Sequence, residues 1–504
     1  MNRKKCKISV FLLFVFAPLL FAEKTGVENL FRFKLENGLE LFAVEDNNVP
    51  LVYIEIAVRA GAVTQDKKTA GLFHLYEHMM FKGNSKFKNQ KEVTDALNQM
   101  GVSNWNGTTG VDRVNYYFTI PASLAREGLE FWSYAIREPL FDETEFANEK
   151  LVVISEIAAH KTTPSRIVGA GLNKKLFPEC PWRVDTAGSP QIIESATVNQ
   201  LKEIQKRFYV PQNSALFVGG DIKADEVFEL VKQIYGDWEP GKDESALKVN
   251  VPSKEPFESD KKFVYADPRL TGAFAQAEYY LRGPDGETDA ADTYGADVWD
   301  YLLSNPQSSY IKNMINDKSL SIPDSDYASG FYSTMRASGL IGFSAMFLND
   351  GETDEESVLL KAERLLDLWK NKSVEDMLSE GTGFSAEDIA AVKKRLEISR
   401  VFSSESAKGL LSQISSAWSS CGADYYFSYD ENILKVTKQD VNRFVEKYIQ
   451  GKNGAFVLSV NPQYYETRKD LFDEAGYEQI DSENAFWWSD EEKNSEQESE
   501  RSEQ

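Results

Sequence analysis

LKEIQKRFYVPQNSALFVGG, residues 201–220, and VNRFVEKYIQGKNGAFVLSV, residues 441–460, are one pattern written twice. At an offset of 240, Leu201 meets Val441, Ile204 meets Phe444, Phe208 meets Tyr448, Asn213 meets Asn453 and Ala215 meets Ala455. Each copy predicts an amphipathic helix, a short polar turn and an apolar strand. A single helix–turn–strand match carries little weight. The offset carries more, because it splits the chain into halves with a polar joint between them. Residues 236–262 are rich in Pro, Gly, Lys, Glu and Asp, including Pro240-Gly241 and Pro252, which is linker composition. The reading is two similar domains, 27–240 and 262–478, joined by a linker at 241–261.

Inside the first half, Asn37-Gly38 lies between two β-rich runs and signals a hairpin. Leu51 to Arg59 alternates, with Val52, Ile54, Ile56 and Val58 on one face. Ala70 to Phe81 and Lys91 to Met100 read as helices, the second stopping at Gly101. Val114 to Ile120 reads as a strand, and Ala122 to Ile136 and Glu143 to His160 as long helices. Runs of strands set apart from runs of helices predict an α+β fold, each domain an antiparallel sheet with helices packed on one face. From 479 to 504 the chain is an acidic Ser/Glu/Gln stretch, nine acids against two bases, expected as a disordered tail. Phe486, Trp487 and Trp488 within it are either a docking segment or a merely sticky turn.

The 504 residues are 42% apolar and 27% charged, a globular composition. With 56 Lys+Arg against 79 Asp+Glu, the formal charge of −23 has the wrong sign for a nucleic-acid binder. Residues 1–22 read as a secretory signal peptide. Arg3, Lys4, Lys5 and Lys7 precede an apolar run from Ile8 to Phe21 that is too short to span a bilayer comfortably. An uncleaved anchor is the alternative. No later stretch is long and apolar enough to cross a membrane, so the expected location is periplasmic or extracellular. Cys6 leaves with the signal, and Cys180 and Cys421 are expected as two separate thiols.

The chain has only three histidines, His74, His78 and His160. Two of them fall in GLFHLYEHMMFKG, residues 71–83. On a helix, His74 and His78 share a face one turn apart, and Glu77 adjoins His78. Two imidazoles at that spacing can hold one zinc ion, with the carboxylate beside them placed for proton transfer. This is the H-x-x-E-H order. The alternative is a pair of core histidines satisfied structurally, but two imidazoles and a carboxylate on one face of a mostly apolar helix are costly without a shared purpose. A third ligand must come from elsewhere. The run EKLVVISEIAAH offers Glu149 and Glu156, seven apart on one helical face, and His160 one turn further. A solvated acidic stripe is the competing reading; Leu151-Val152-Val153-Ile154 argues for a substantially buried helix instead. His160 is read as structural, since a ligand set exists without it.

These residues resemble the pitrilysin/insulinase family of zinc metallopeptidases, which includes the mitochondrial processing peptidases. That family carries H-x-x-E-H followed by two Glu seven apart. The likeness extends to Asn106-Gly107-x-Thr109-x-x-Asp112-x-Val114-x-Tyr116, where the family has Ala in place of Gly107 and Thr in place of Val114. It extends also to Thr186-x-Gly188-Ser189, Tyr209-Val210-Pro211-x-Asn213 and Gly219-Gly220-Asp221. The resemblance implies one zinc ion per chain on His74, His78 and Glu156, Glu77 as general base, and Glu149 as a helper that accepts a ligand imidazole's free N–H. It implies that peptide binds as an added strand, with Asn106 and Thr109 as candidate substrate contacts. Turn chemistry is the competing reading for those two. It also implies half of a clamshell: relatives either join four such domains in one chain or pair two chains.

One departure stands out. The family's non-catalytic domain often supplies an Arg and a Tyr seven apart, and Ile315 and Ile322 occupy those positions here. Two functions follow. The first is an exported zinc endopeptidase acting on unfolded peptides. The second is a metal-binding but weakly active subunit, or peptide-binding partner, of a related chain that carries the Arg/Tyr pair. Either expects a dimer, homodimeric or heterodimeric with such a chain, and no nucleic-acid partner.

Overall fold

The computed structural model describes residues 23–24, 27–102, 104–242, 248–249, 251–305, 308–349, 357–372, 377–378 and 384–489. The expected signal at 1–22 lies outside the described residues. The first sheet contains β1 (Glu23–Lys24), β2 (Leu30–Lys34), β3 (Glu40–Glu45), β4 (Leu51–Val58), β5 (Trp105–Thr109), β6 (Val114–Pro121) and β7 (Ser214–Gly220), in the order β1-β2-β3-β7-β4-β6-β5. The second contains β8 (Lys261–Ala266), β9 (Phe274–Gly283), β10 (Ala328–Ser333), β11 (Gly339–Leu348), β12 (Ala455–Val460) and β13 (Glu478–Ile480), in the order β10-β11-β9-β12-β8-β13. Read from opposite ends, β3-β7-β4-β6-β5 and β8-β12-β9-β11-β10 are the same arrangement, with the same strand directions.

The fold is α+β, with two differences from the expected sheets. First, they are mixed rather than antiparallel. β3 runs parallel to β7, with Glu40 opposite Ala215, and β8 runs parallel to β12 and β13. The closing strand of each domain returns from a long helical stretch, and such a crossover permits parallel pairing that a hairpin cannot make. Second, helices cover both faces. Five helices matter here: α1 (Leu72–Met79), α2 (Gln90–Gln99), α3 (Ala125–Arg137), α4 (Glu143–His160) and α5 (Pro164–Leu176). α3 packs on the inner face of the first sheet, through Leu129 and Trp132 against Ile54 and Phe118.

The outer face of the first sheet is covered by a helix of the second half, Ala407–Ser420. Its Leu410, Leu411, Ile414 and Trp418 pack on Phe42, Tyr53, Ala57 and Phe217. In return, Ile167, Val168 and Leu172 of α5 join Phe263, Tyr265, Val457 and Ile480 of the second sheet. Each half lends a helix to the other. This is why Tyr53, Glu55 and Ala57 are as buried as the alternating set Val52, Ile54, Ile56 and Val58. Buried Glu55 is satisfied by Tyr53 Oη (2.6 Å), Asn115 Nδ2 (2.8 Å) and Ser415 Oγ from the covering helix (2.6 Å).

The segment expected as a disordered tail from 479 is packed chain as far as Ser489. Ile480 closes β13, and Phe486, Trp487 and Trp488 are buried against the first half. Trp487 Nε1 donates to Asp185 Oδ2 at 2.9 Å, and Lys161 lies over the Trp488 ring. Three large aromatic rings outweigh the two acids before them, Asp481 and Glu483. The residues from Asp490 on lie outside the described ones. Helix α4 also differs from expectation. Its buried face is Phe146, Glu149, Val153 and Ile157, while Leu151 is 68% exposed and Val152 43%. Cys180 and Cys421 are both free.

Candidate functional site

Helix α1 starts at Gly71, whose φ of 90° ends the preceding loop in the left-handed region. Leu72, Phe73, Leu75, Tyr76 and Met79 anchor its inner face in the core. That leaves His74, Glu77 and His78 on the opposite face, half-buried. Helix α4 lies alongside, capped by Asp142, whose side chain accepts from the N–H of Thr144 and Glu145. Glu149 and Glu156 face α1 from it.

Three ligand atoms meet between the helices. His74 Nε2 is 3.7 Å and His78 Nε2 3.8 Å from Glu156 Oε2. The two imidazoles stand edge to face, centroids 4.7 Å apart. Among the described residues this is the one cluster of three such groups close enough to share an ion. Tetrahedral zinc with bonds of roughly 2.0–2.2 Å separates its ligand atoms by about 3.3–3.6 Å. The observed spacing is close to that.

The proton on His78 is set by its other nitrogen. Nδ1 lies 2.9 Å from Glu149 Oε2, so Nδ1–H donates to that carboxylate and Nε2 is the ring atom turned toward Glu156. Two imidazoles and one carboxylate, each offering a ligand atom to the same point, are the N/O donor set that zinc takes, which is a physical reason to read the cluster as a metal site. Burial, with His78 and His160 nearby, depresses the pKa of His74 to about 4, so its imidazole is neutral. For Glu149, burial acts upward, but Lys82 and His78 outweigh it and hold the carboxyl below its ordinary value.

Glu77 lies beside the cluster against strand β5. Its Oε2 accepts from Thr109 Oγ1 at 3.2 Å, and a Cβ on Gly107 would come within 2.7 Å of its Oε1. Burial raises its pKa, and Glu156 adds to this, against the pull of His78 and Thr109. Asn106 is exposed on β5. By strand alternation it faces away from Glu77, with Thr108, whose Oγ1 bonds Asn115. The structure brings Thr109 into the cluster and leaves Asn106 out of it.

His160 ends α4 and lines a separate cavity of about 240 Å³ with Arg166, Asn173 and Trp487. Ile315 and Ile322 both pack in the core of the second half, Ile322 at 5% exposure. Lys82 escaped the sequence reading. Its Nζ is 2.6 Å from Glu149 Oε1 and 3.0 Å from Gln90 Oε1 of α2. The available signal was its position four residues after His78, although most lysines at such spacing are simply solvated.

Two family models match the chain. One, described as insulinase (peptidase family M16), covers residues 41–184, and the other, peptidase M16 inactive domain, covers residues 195–396. A protein named as an uncharacterized zinc protease from Rickettsia felis is 23% identical over 220 residues, 44% of this chain and 53% of that one. The match spans about half the length of such relatives. Two solved structures share the fold. A protease from Helicobacter pylori has a TM-score of 0.68 at 18% identity, covering 85% of this chain and 98% of that one. The first half of the periplasmic protease PqqL from Escherichia coli has a TM-score of 0.67 at 17% identity, covering 88% and 94%. The chain belongs to the insulinase family of peptidases, M16.

Proposed function

We propose that the chain is a zinc-dependent endopeptidase acting on unfolded peptides outside the cytoplasm. The observation that carries this reading is the meeting of His74 Nε2, His78 Nε2 and Glu156 Oε2, with the buried Glu77 carboxylate beside them. His74, His78 and Glu156 would hold the ion, which when bound supplies Lewis-acid polarisation of a water and of the scissile carbonyl. Glu149 fixes the ring of His78 and its tautomer. Glu77 takes a proton from the attacking water as the new C–O bond forms, and returns it to the leaving nitrogen as the C–N bond breaks. Thr109 holds the Glu77 carboxylate toward that position. Among the described residues strand β5 pairs with β6 alone, so its outer edge offers backbone groups to an extended peptide.

Replacing Glu77 with Gln tests the reading. Peptide cleavage should be lost while one zinc per chain is retained. Undiminished cleavage by that variant would remove Glu77 from the mechanism.

A second reading is favoured by Ile315 and Ile322. No cation can be supplied from those core positions. On this reading the chain pairs with a related one that carries the Arg/Tyr pair, and has little turnover alone. Chelator-sensitive cleavage of a peptide library by the isolated chain, at a native mass of one copy, would exclude it.

A further inference from the structure

We propose that Lys82 is a positioning residue of the metal site, holding Glu149 so that Glu149 can hold His78. This rests on the zinc reading above. The geometry is a relay. Glu149 is 7% exposed, and each of its oxygens has one partner: Oε2 takes the N–H of His78 at 2.9 Å, and Oε1 takes Lys82 Nζ at 2.6 Å. Lys82 is itself largely buried and held from the other side by Gln90 Oε1 at 3.0 Å. Gln90 opens α2, Lys82 follows α1, and Glu149 sits on α4, so three segments converge on one imidazole.

A carboxylate with a single hydrogen bond can swing about its last torsion. One gripped at both oxygens cannot, and the His78 ring it anchors is then fixed in tautomer and direction. The charges are also matched. Glu77, Glu149 and Glu156 against Lys82 leave two net negative charges, the complement of a divalent cation.

A cation this close to a metal position can act in two opposite ways. If Lys82 only dilutes negative charge, removing it strengthens metal binding. If it positions Glu149, removing it weakens binding. The sign separates the two.

The test uses the full chain and the K82M and K82Q variants, which both lack the ammonium. Zinc affinity is measured by competition with a chromophoric chelator, and site geometry by the visible absorption of the cobalt(II) form. Thermal unfolding of the metal-free chains reports on the fold. Both variants are expected to bind zinc ten- to a hundredfold more weakly, the usual effect of losing an outer partner of a ligand. Their cobalt bands should change while the metal-free unfolding temperature stays near that of the parent. If only one variant folds, it carries the comparison. Equal or tighter zinc binding with an unchanged cobalt spectrum in a folded variant overturns the proposal. Failure of the parent chain to take up either metal overturns the zinc reading itself, which is a different result.

Discussion

Gly71 and Gly188 touch backbone to backbone: a Cβ built on Gly188 would lie 2.6 Å from the Cα of Gly71 and 2.2 Å from the carbonyl oxygen of Ala70. Both have positive φ, 90° and 78°. The loop from Asp185 to Ser189 thereby seats on the first turn of the helix that carries His74 and His78. Gly188→Ala should cost ~1–3 kcal/mol for its backbone conformation, plus a similar amount for the overlap. Because the overlap falls on α1, zinc affinity should fall with the unfolding temperature. A variant with parental stability and metal content would show that the loop has room to yield.

Glu149→Gln keeps the size of the side chain and removes its charge. The His78 N–H would then meet a weaker acceptor, and Lys82 would lose its ion pair. Zinc affinity should drop by about ten- to a hundredfold. Chelator competition at fixed pH measures this directly.

Thr109→Val removes the hydroxyl that favours the ionised form of Glu77. Burial already raises the Glu77 pKa, and losing this donor raises it further. Glu77 must be ionised to accept a proton, so the acid limb of the pH–activity profile should move to higher pH. The basic limb should stay in place. A profile identical to the parent's would show that the Thr109 hydroxyl is not coupled to the reacting carboxylate.

Far from the site, Asp297 is pushed up to about 7, chiefly by burial and also by Asp300, against the hydrogen bond from Tyr429 Oη at 2.7 Å. The folded chain therefore holds this proton more tightly than the unfolded one. The associated stability is full below about pH 4 and is lost as pH rises through about 7. The ceiling is on the order of 4 kcal/mol, from a displacement of about three pH units, and partial solvent access reduces it. Asp297→Asn should flatten that part of the stability curve and be more stable than the parent at pH 8. Denaturant unfolding at several pH values checks both.

The chemistry was more legible than the packing. His74, Glu77 and His78 share a face because of helical periodicity, and Glu149 and Glu156 because seven residues is two turns; both follow from spacing alone. The role of Gly107 was not readable, since only the fold places β5 against Glu77. Lys82 looked like any helix-end lysine until α4 and α2 were placed around it. Leu151 and Val152 misled because an apolar run has no direction until its neighbours are known. Tail residues 479–489 misled because average composition was given more weight than Phe486, Trp487 and Trp488, the three rings that decide the packing and whose docking was one of two open readings. The repeat at 240 was legible in the closing helix and strand, but Val114 of β6 corresponds to Gly339 of β11, an offset of 225. The second half therefore carries extra residues after its fourth sheet strand, and no single offset aligns the whole chain.

The exchange of helices Pro164–Leu176 and Ala407–Ser420 means that sequence domain and cooperative unit do not coincide. A chain cut at the joint would give two fragments, each with one greasy sheet face stripped of its lid and one orphaned helix. The halves should therefore melt together rather than in turn. Damage to helix Ala407–Ser420 of the second half should register in the first as loss of the wall beneath strands β3, β4 and β7.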